Sequence, residues 1–351
     1  MKEIFQWGVN WKDGMKINAD HFKKEREHLI SLLNVYASIN IDNSNFGLIG
    51  DNISLDLRYS ISNNEFVIEQ IFAISRKGTL AFVNEENVST VGKIKLKDII
   101  QDYDDGQVAQ IYIKVDNSKV YEFGSIDDEE FPIRYPHISP VITLEHMKLD
   151  YALYIDSLDS HIPIAQLINV NGKMIVDEAY IPPVRTCMSN KKLRDKHQEL
   201  SNLNFQLAGM NSEIAQKISG KSHSSYLKSN ILILSTQMAF FLANYMDEFN
   251  DEYILQSPKM MVTFYKKMSR IINACLISMQ KKEKIIQYMA DWTGLTPQEF
   301  IDHLDAMNEF YYNHLNIKES IANINNFTDI ISKLFERLKD LNYKEFDEEV
   351  V

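Results

Sequence analysis

The hydrophobic period of this chain changes once, at YIPPV, residues 180 to 184, and no single layer of secondary structure accommodates both sides of that change. From about residue 50 to 185 the period is two. Ile53, Leu55, Leu57, Tyr59 and Ile61 alternate with polar neighbours, NNEF follows as a turn, and FVIEQIFAIS, TLAFV, QIYIKV, LDYALYI and AQLINV are further pieces of the same kind. Successive side chains of a strand point to opposite faces, so this alternation predicts half-buried strands. Short strands separated by Gly, Asn and Asp turns predict an antiparallel sandwich or barrel.

Beyond YIPPV the period is helical. Leu193, Leu200, Leu203, Leu207, Met210 and Ile214 are spaced 7, 3, 4, 3 and 4, and Leu227, Ile231, Leu234, Met238, Phe241 and Tyr245 are spaced 4, 3, 4, 3 and 4. Stripes of this kind pack helices into bundles or coiled coils. Leu200, Leu203, Leu207, Met210, Leu227, Ile231, Leu234, Met238 and Phe241 are therefore candidate seam residues. A third helix follows Ser257-Pro258, with Met261, Phe264, Met268, Ile271 and Cys275 on one face. A fourth starts at TPQE, where Thr296 caps, Pro297 takes the first helical position and Glu299 closes a capping box. INNFTDIISKLFERLKDL is one more amphipathic helix, whose apolar face packs on its own bundle or docks on a partner. The predicted fold is thus β followed by α: an amino-terminal antiparallel β-sandwich over residues 1–185, a helical bundle over 186–315, and a short helical tail over 316–351.

The chemistry of the chain narrows its function by exclusion. There is no P-loop, GxGxxG, GxSxG or HExxH, and 12 glycines leave little for ligand-cradling loops. The nine histidines are dispersed; His21 and His28, seven apart, are read as satisfied structural histidines rather than metal ligands. Cys187 and Cys275 form no metal or redox pattern, and two cysteines fit a reducing cytoplasm. The acidic stretches DYDDG and DDEE lack the Gly and Glu positions of a calcium loop and are read as solvated turns. No enzymatic activity, cofactor or metal is expected. A formal charge of -12 argues against nucleic acid and anionic lipid as partners. MADWTGLTPQEFIDHL has helix-turn-helix spacing, but its second helix would bring Glu299, Asp302 and Asp305 to the phosphates, so a regulator is the remote alternative. ILILSTQMAFFLA is too short and too polar for a membrane helix, and no membrane insertion is expected.

The stretch VNWKDGMKINADHFKKEREHL, residues 9 to 29, resembles the amino-terminal signature W-x-E-G-M-x-L-x-P-Q-H-F-Q of the TssK family of type VI secretion baseplate subunits. Trp11, Gly14, Met15, His21 and Phe22 fall in register with it; Asp13 stands for the usual Glu, and Ala19-Asp20 for Pro-Gln. NNEFVIEQIFAISRKGTLAFV resembles the family's strand pair with a DG-type turn at Lys77-Gly78. IPIAQL to AYIPPV, ending in Pro182, Pro183 and Val184, resembles the LPIA to FIPP segment that closes its β domain, with Val184 in place of Cys. SPKMMVTFYKKMSRIINACL resembles a family helix. The resemblance implies a non-enzymatic structural subunit in the cytoplasm, with a β shoulder that engages wedge proteins such as TssF and TssG and a helical neck that forms a homotrimer. It implies the membrane complex as a further partner. About 40 residues follow the fourth helix, too few for the family's usual head domain, so the chain is expected to be a shortened member. A tailed-phage receptor-binding or baseplate protein, similar in having a shoulder and a trimeric neck, is the alternative. As folding devices, Trp11 supplies apolar surface, Gly14 permits a positive φ, and Phe22 is expected to bury where the following helix meets the sandwich.

Overall fold

The computed structural model of the chain describes residues 6–50, 56–124, 137–148, 161–219 and 225–343. The protein divides into two compact units, Met1–Asn190 and Lys191–Val351. Residues Ile53 and Leu55, the piece LDYALYI and the DDEE turn lie outside the described residues.

The first unit opens with helix α1 (Ala19–Asn40), followed by β1 (Gly47–Leu48), β2 (Arg58–Ser62), β3 (Glu65–Ile74), β4 (Leu80–Val83), β5 (Ile94–Lys95) and the short α2 (Leu96–Ile100). Then come β6 (Val108–Phe123), β7 (His137–Lys148), β8 (His161–Val170) and β9 (Lys173–Val176). β3 is the hub of one sheet, pairing with β1, β2, β4 and β5; the other has the order β7-β6-β8-β9. Every pair among these strands is antiparallel, as the alternating pattern predicts. The NNEF turn forms with Asn63 and Asn64 both at positive φ, 52° and 65°, the backbone that a tight hairpin turn requires. Asn171 and Gly172 repeat the device between β8 and β9. Phe66, Ile68, Ile71, Ile111, Ile113, Ile162 and Leu167 are all buried and supply the apolar interior of the sheets.

YIPPV is neither strand nor helix but a buried strap. Leu48 N–H donates to the Pro183 carbonyl at 2.9 Å, and Arg185 N–H donates to the Leu48 carbonyl at 2.8 Å, so the strap runs parallel beside β1. A proline without an N–H fits here because the strap lies at a sheet edge. The contact continues through Ser189, whose hydroxyl accepts from Gly50 N–H at 2.8 Å and donates to the Gly50 carbonyl at 3.0 Å. Pro182 and Pro183 thus have buried structural positions.

The second unit consists of α3 (Lys191–Ser219), α4 (Tyr226–Asp247), α5 (Lys259–Ser278), α6 (Lys282–Thr293), α7 (Pro297–Glu309) and α8 (Ile317–Asp340). α7 begins as its sequence dictates: Thr296 caps it, Pro297 is first, and Glu299 completes the capping box. Leu200, Leu207, Leu227, Ile231, Leu234, Met238 and Phe241 are at most 3% exposed within this single chain. They form the core of the unit. The other two seam candidates differ: Leu203 and Met210 are only half-buried, and their neighbours Asn204 and Asn211 take the interior positions at 0% exposure. The true inner stripe of α3 is Leu193, His197, Leu200, Asn204, Leu207, Asn211 and Ile214, in which every second member is polar. A pattern that sorts residues only by hydrophobicity places those polar members outside. On α5 the inward residue is likewise Ile272, with Ile271 half-buried.

Residues 316–343 belong to this same unit. Ile324, Phe327, Ile331, Leu334, Phe335 and Leu338 of α8 are fully buried, and Tyr265 of α5 packs its ring against Phe327 at 6.3 Å. The apolar face of α8 packs on its own bundle, so it is not a free docking helix.

Candidate functional site

The amino-terminal motif builds one surface of the first unit. Residues 12 to 15 turn tightly, with Met15 N–H donating to the Lys12 carbonyl at 3.1 Å and Gly14 at φ +76°, the positive value its lack of a side chain permits. Asn18 then caps α1. Its side chain accepts from His21 N–H at 3.1 Å, while His21 Nδ1 accepts from Asn18 N–H at 3.3 Å. His21 is therefore the reciprocal member of a capping box, with an imidazole in the place usually taken by Glu or Gln. Trp11 packs against His21 and Phe22, ring centres 5.9 Å and 6.0 Å apart.

The segment before the turn lies along α1 through polar contacts. Gln6 N–H donates to Ser31 Oγ at 3.0 Å, His28 Nδ1 donates to the Gln6 carbonyl at 2.6 Å, and Val9 N–H donates to Glu25 Oε2 at 2.8 Å. Both histidines of the motif thus have structural work. Phe22, expected to be buried, is 62% exposed in the single chain, because α1 turns its polar contacts toward the amino-terminal segment and leaves this apolar side uncovered.

That uncovered side runs the length of the helix. Phe22, Leu29, Leu33, Tyr36 and Ile39 are each more than half exposed. The far end of α1 meets the β3–β4 hairpin at Gly78, where an added β-carbon would stand 2.4 Å from that of Ala37. Here Leu33, Leu80, Phe82, Phe123, Ile138 and Pro140 line a cleft of about 380 Å³. Leu80, Phe82 and Ile138 are themselves nearly half exposed. Exposed apolar surface of this kind is a candidate protein-interaction surface.

Groups with catalytic chemistry are engaged elsewhere. Glu145 on β7 accepts from Lys114 at 3.1 Å and lies 3.0 Å from His161 Nε2. Burial pulls its carboxyl upward, but the hydrogen bonds from Lys114 and His161 outweigh that and hold it below the ordinary carboxylate range. The three side chains satisfy one another across strands β6, β7 and β8. Burial pushes the thiols of Cys187 and Cys275 up, which disfavours the nucleophilic thiolate. Among the described residues no group of three His, Cys, Asp or Glu side chains is placed to hold a metal ion, and no helix is long and apolar enough to cross a membrane. α6 and α7 meet at Gly294 in the left-handed region, but Glu299, Asp302 and Asp305 of the second helix are exposed carboxylates, which repel a phosphate backbone.

The structure brings Trp11, His21 and Phe22 together and places Gly14 and Met15 in the adjoining turn. Pro182 and Pro183 serve the β1 strap, and the seam residues lie in the second unit. Sequence reasoning singled out Gly78 only as a turn residue and missed Glu25, Ser31 and Phe82, which shape the surface through contacts distant in sequence.

The sequence matches no protein-family model and no curated protein. Solved structures do resemble the fold. A crystal structure of TssK is 13% identical with a TM-score of 0.51, covering 75% of this chain and 60% of the other. A chain in the cryo-electron microscopy structure of the type VI secretion TssK-TssF-TssG baseplate subcomplex is 12% identical with a TM-score of 0.50, covering 95% of this chain and 99% of the other. A chain of the type VI secretion baseplate complex is 12% identical with a TM-score of 0.51, again covering 95% and 99%. This chain therefore has the TssK fold, and it spans about three-fifths of the crystallised TssK.

Proposed function

We propose that this protein is a non-enzymatic structural subunit of a type VI secretion baseplate, acting on the cytoplasmic side as a TssK-like homotrimer. Its first unit binds the wedge, formed by TssF-like and TssG-like proteins, through α1 and the cleft beside Phe82. The helical unit supplies the assembly contacts, and the whole subunit links the wedge to the membrane complex. The observation that carries this reading is the fold likeness over nearly the whole chain, 95% of it against 99% of a chain from the TssK-TssF-TssG subcomplex. The amino-terminal signature supports it independently, because Trp11, Gly14, His21 and Phe22 form one continuous capped and turned structure. The uncovered apolar side of α1 gives that structure a surface to offer a partner.

Deletion of the gene in its own host tests the reading. Sheath assembly and secretion are expected to stop and to be restored by the intact gene. Normal secretion by the deletion strain would contradict it.

A further inference from the structure

The outer face of α4 is unlike that of any other long helix in the second unit. No Asp, Glu, Lys or Arg stands between Lys228 and Asp247, in a chain of which 25% is charged. Its inner stripe is already used, with Leu227, Ile231, Leu234, Met238 and Phe241 buried in the bundle. On the opposite side a second stripe, Ser229, Ile233, Thr236, Phe240 and Ala243, repeats the spacing of 4, 3, 4 and 3. Ile233 is 42% and Phe240 60% exposed. The polar residues on this side, Ser229, Thr236, Gln237 and Asn244, are all uncharged, so the whole outer side can be buried without desolvating a charge. No described helix is long and apolar enough to span a bilayer.

We propose that the cover is the same helix of other copies, so that α4 carries the homotypic contact of the assembly on Ser229, Ile233, Thr236, Phe240 and Ala243. The charge pattern favours a second copy over a foreign partner. Around a rotation axis each residue of a parallel helix meets itself, so a charge anywhere on the stripe would face a like charge in its twin. A different protein imposes no such rule, because it can supply the opposite charge. The seven-residue repeat of the outer stripe matches that of a supercoiled helix seam.

This inference rests on the homo-oligomer reading above and names its surface. Full-length wild type and the Phe240→Lys and Ile233→Lys variants are compared by light scattering, with circular dichroism and thermal melting as checks of folding. The wild type is expected to be an oligomer, and each variant a folded monomer at concentrations at least tenfold higher. Ala243→Cys, placed on the stripe, is expected to give covalent dimers under mild oxidation of the intact assembly. An oligomeric wild type whose mass is unchanged in both Lys variants would overturn the inference and leave the homo-oligomer reading standing. A wild type that is monomeric throughout would overturn both. Should the Lys variants unfold, the cross-link decides, and its absence in an oligomeric Ala243→Cys protein overturns the α4 contact.

Discussion

A β-carbon on Gly47 would stand 2.0 Å from the carbonyl oxygen of Pro183, closer than any carbon and oxygen approach without a bond. Gly47 also holds φ at +106°, where a side chain is strained in its own right. The strap containing Pro182 and Pro183 can reach β1 only because this position is a glycine. Gly47→Ala is therefore expected to cost about 3 to 5 kcal/mol, through displacement of a buried backbone contact. Gly106, at φ +80° with nothing within 4 Å of an added β-carbon, is the control. Gly106→Ala is expected to cost only about 1 to 2 kcal/mol, from the left-handed backbone alone. Urea denaturation of the two variants measures the difference.

The buried imidazole of His197 makes the helical unit sensitive to acid. Its Nε2–H donates to the Phe249 carbonyl at 2.7 Å, and its ring stacks on that of Phe249 at 4.9 Å. Burial lowers its pKa below the ordinary 6.5, and the Phe249 hydrogen bond offsets only part of this. Below pH 6.5 the unfolded chain then binds more protons than the folded one. The stabilisation is complete above that pH and is lost as pH falls through the lowered folded value. His197→Gln keeps a donor for Phe249 but does not titrate. Denaturation midpoints at pH 7.5, 6 and 5 are expected to fall less for the variant than for wild type. Glu145 acts in a separate window, since its lowered pKa withdraws stability only as pH falls below the ordinary carboxylate value of 4.5.

Leu234 and Leu203 distinguish the core from the surface of the helical unit. Leu234 is 0% exposed, and Leu234→Asp is expected to unfold the unit, because an unpaired buried charge costs on the order of 3 to 5 kcal/mol. Leu203 is half-buried, and Leu203→Asp is expected to cost about 1 kcal/mol while the chain stays folded. Thermal melting followed by circular dichroism separates the two outcomes.

Asn211 offers a change in the opposite direction. Its Nδ2 donates to the Leu207 carbonyl, but its buried Oδ1 has no partner. Asn211→Leu removes that unpaired acceptor from the inner stripe and is expected to stabilise the protein by about 1 kcal/mol. A melting temperature lower than wild type would show that the amide makes an interaction that leucine cannot replace.

Legibility in the sequence follows the range of the determining contact. The α7 start was readable because Thr296, Pro297 and Glu299 act on one another within a single turn. The antiparallel sheets were readable because alternation is a property of each strand separately. The Gly47–Pro183 contact was not, since its two halves are separated by nearly the whole first unit and no local pattern connects them. Asn204 was hidden for a different reason. Its amide is buried where Tyr265 OH donates to it at 3.2 Å, and only the folded structure shows that partner. At the proposed interaction site the aromatic motif was visible, but an apolar pattern does not reveal whether its residues are covered, and Phe22 is open in the single chain.

The proposed function requires this chain to join a baseplate wedge through the α1 surface. The most direct measurement is co-purification of the full-length protein with the TssF-like and TssG-like proteins of the same host, comparing wild type with Leu33→Glu and Phe82→Glu. Both positions are exposed, so the variants are expected to melt like wild type. Wild type should form a stable complex with the wedge proteins, and each variant should bind at least tenfold more weakly. Failure of folded wild type to bind either wedge protein, or undiminished binding by both variants, would contradict a wedge-binding role for this surface.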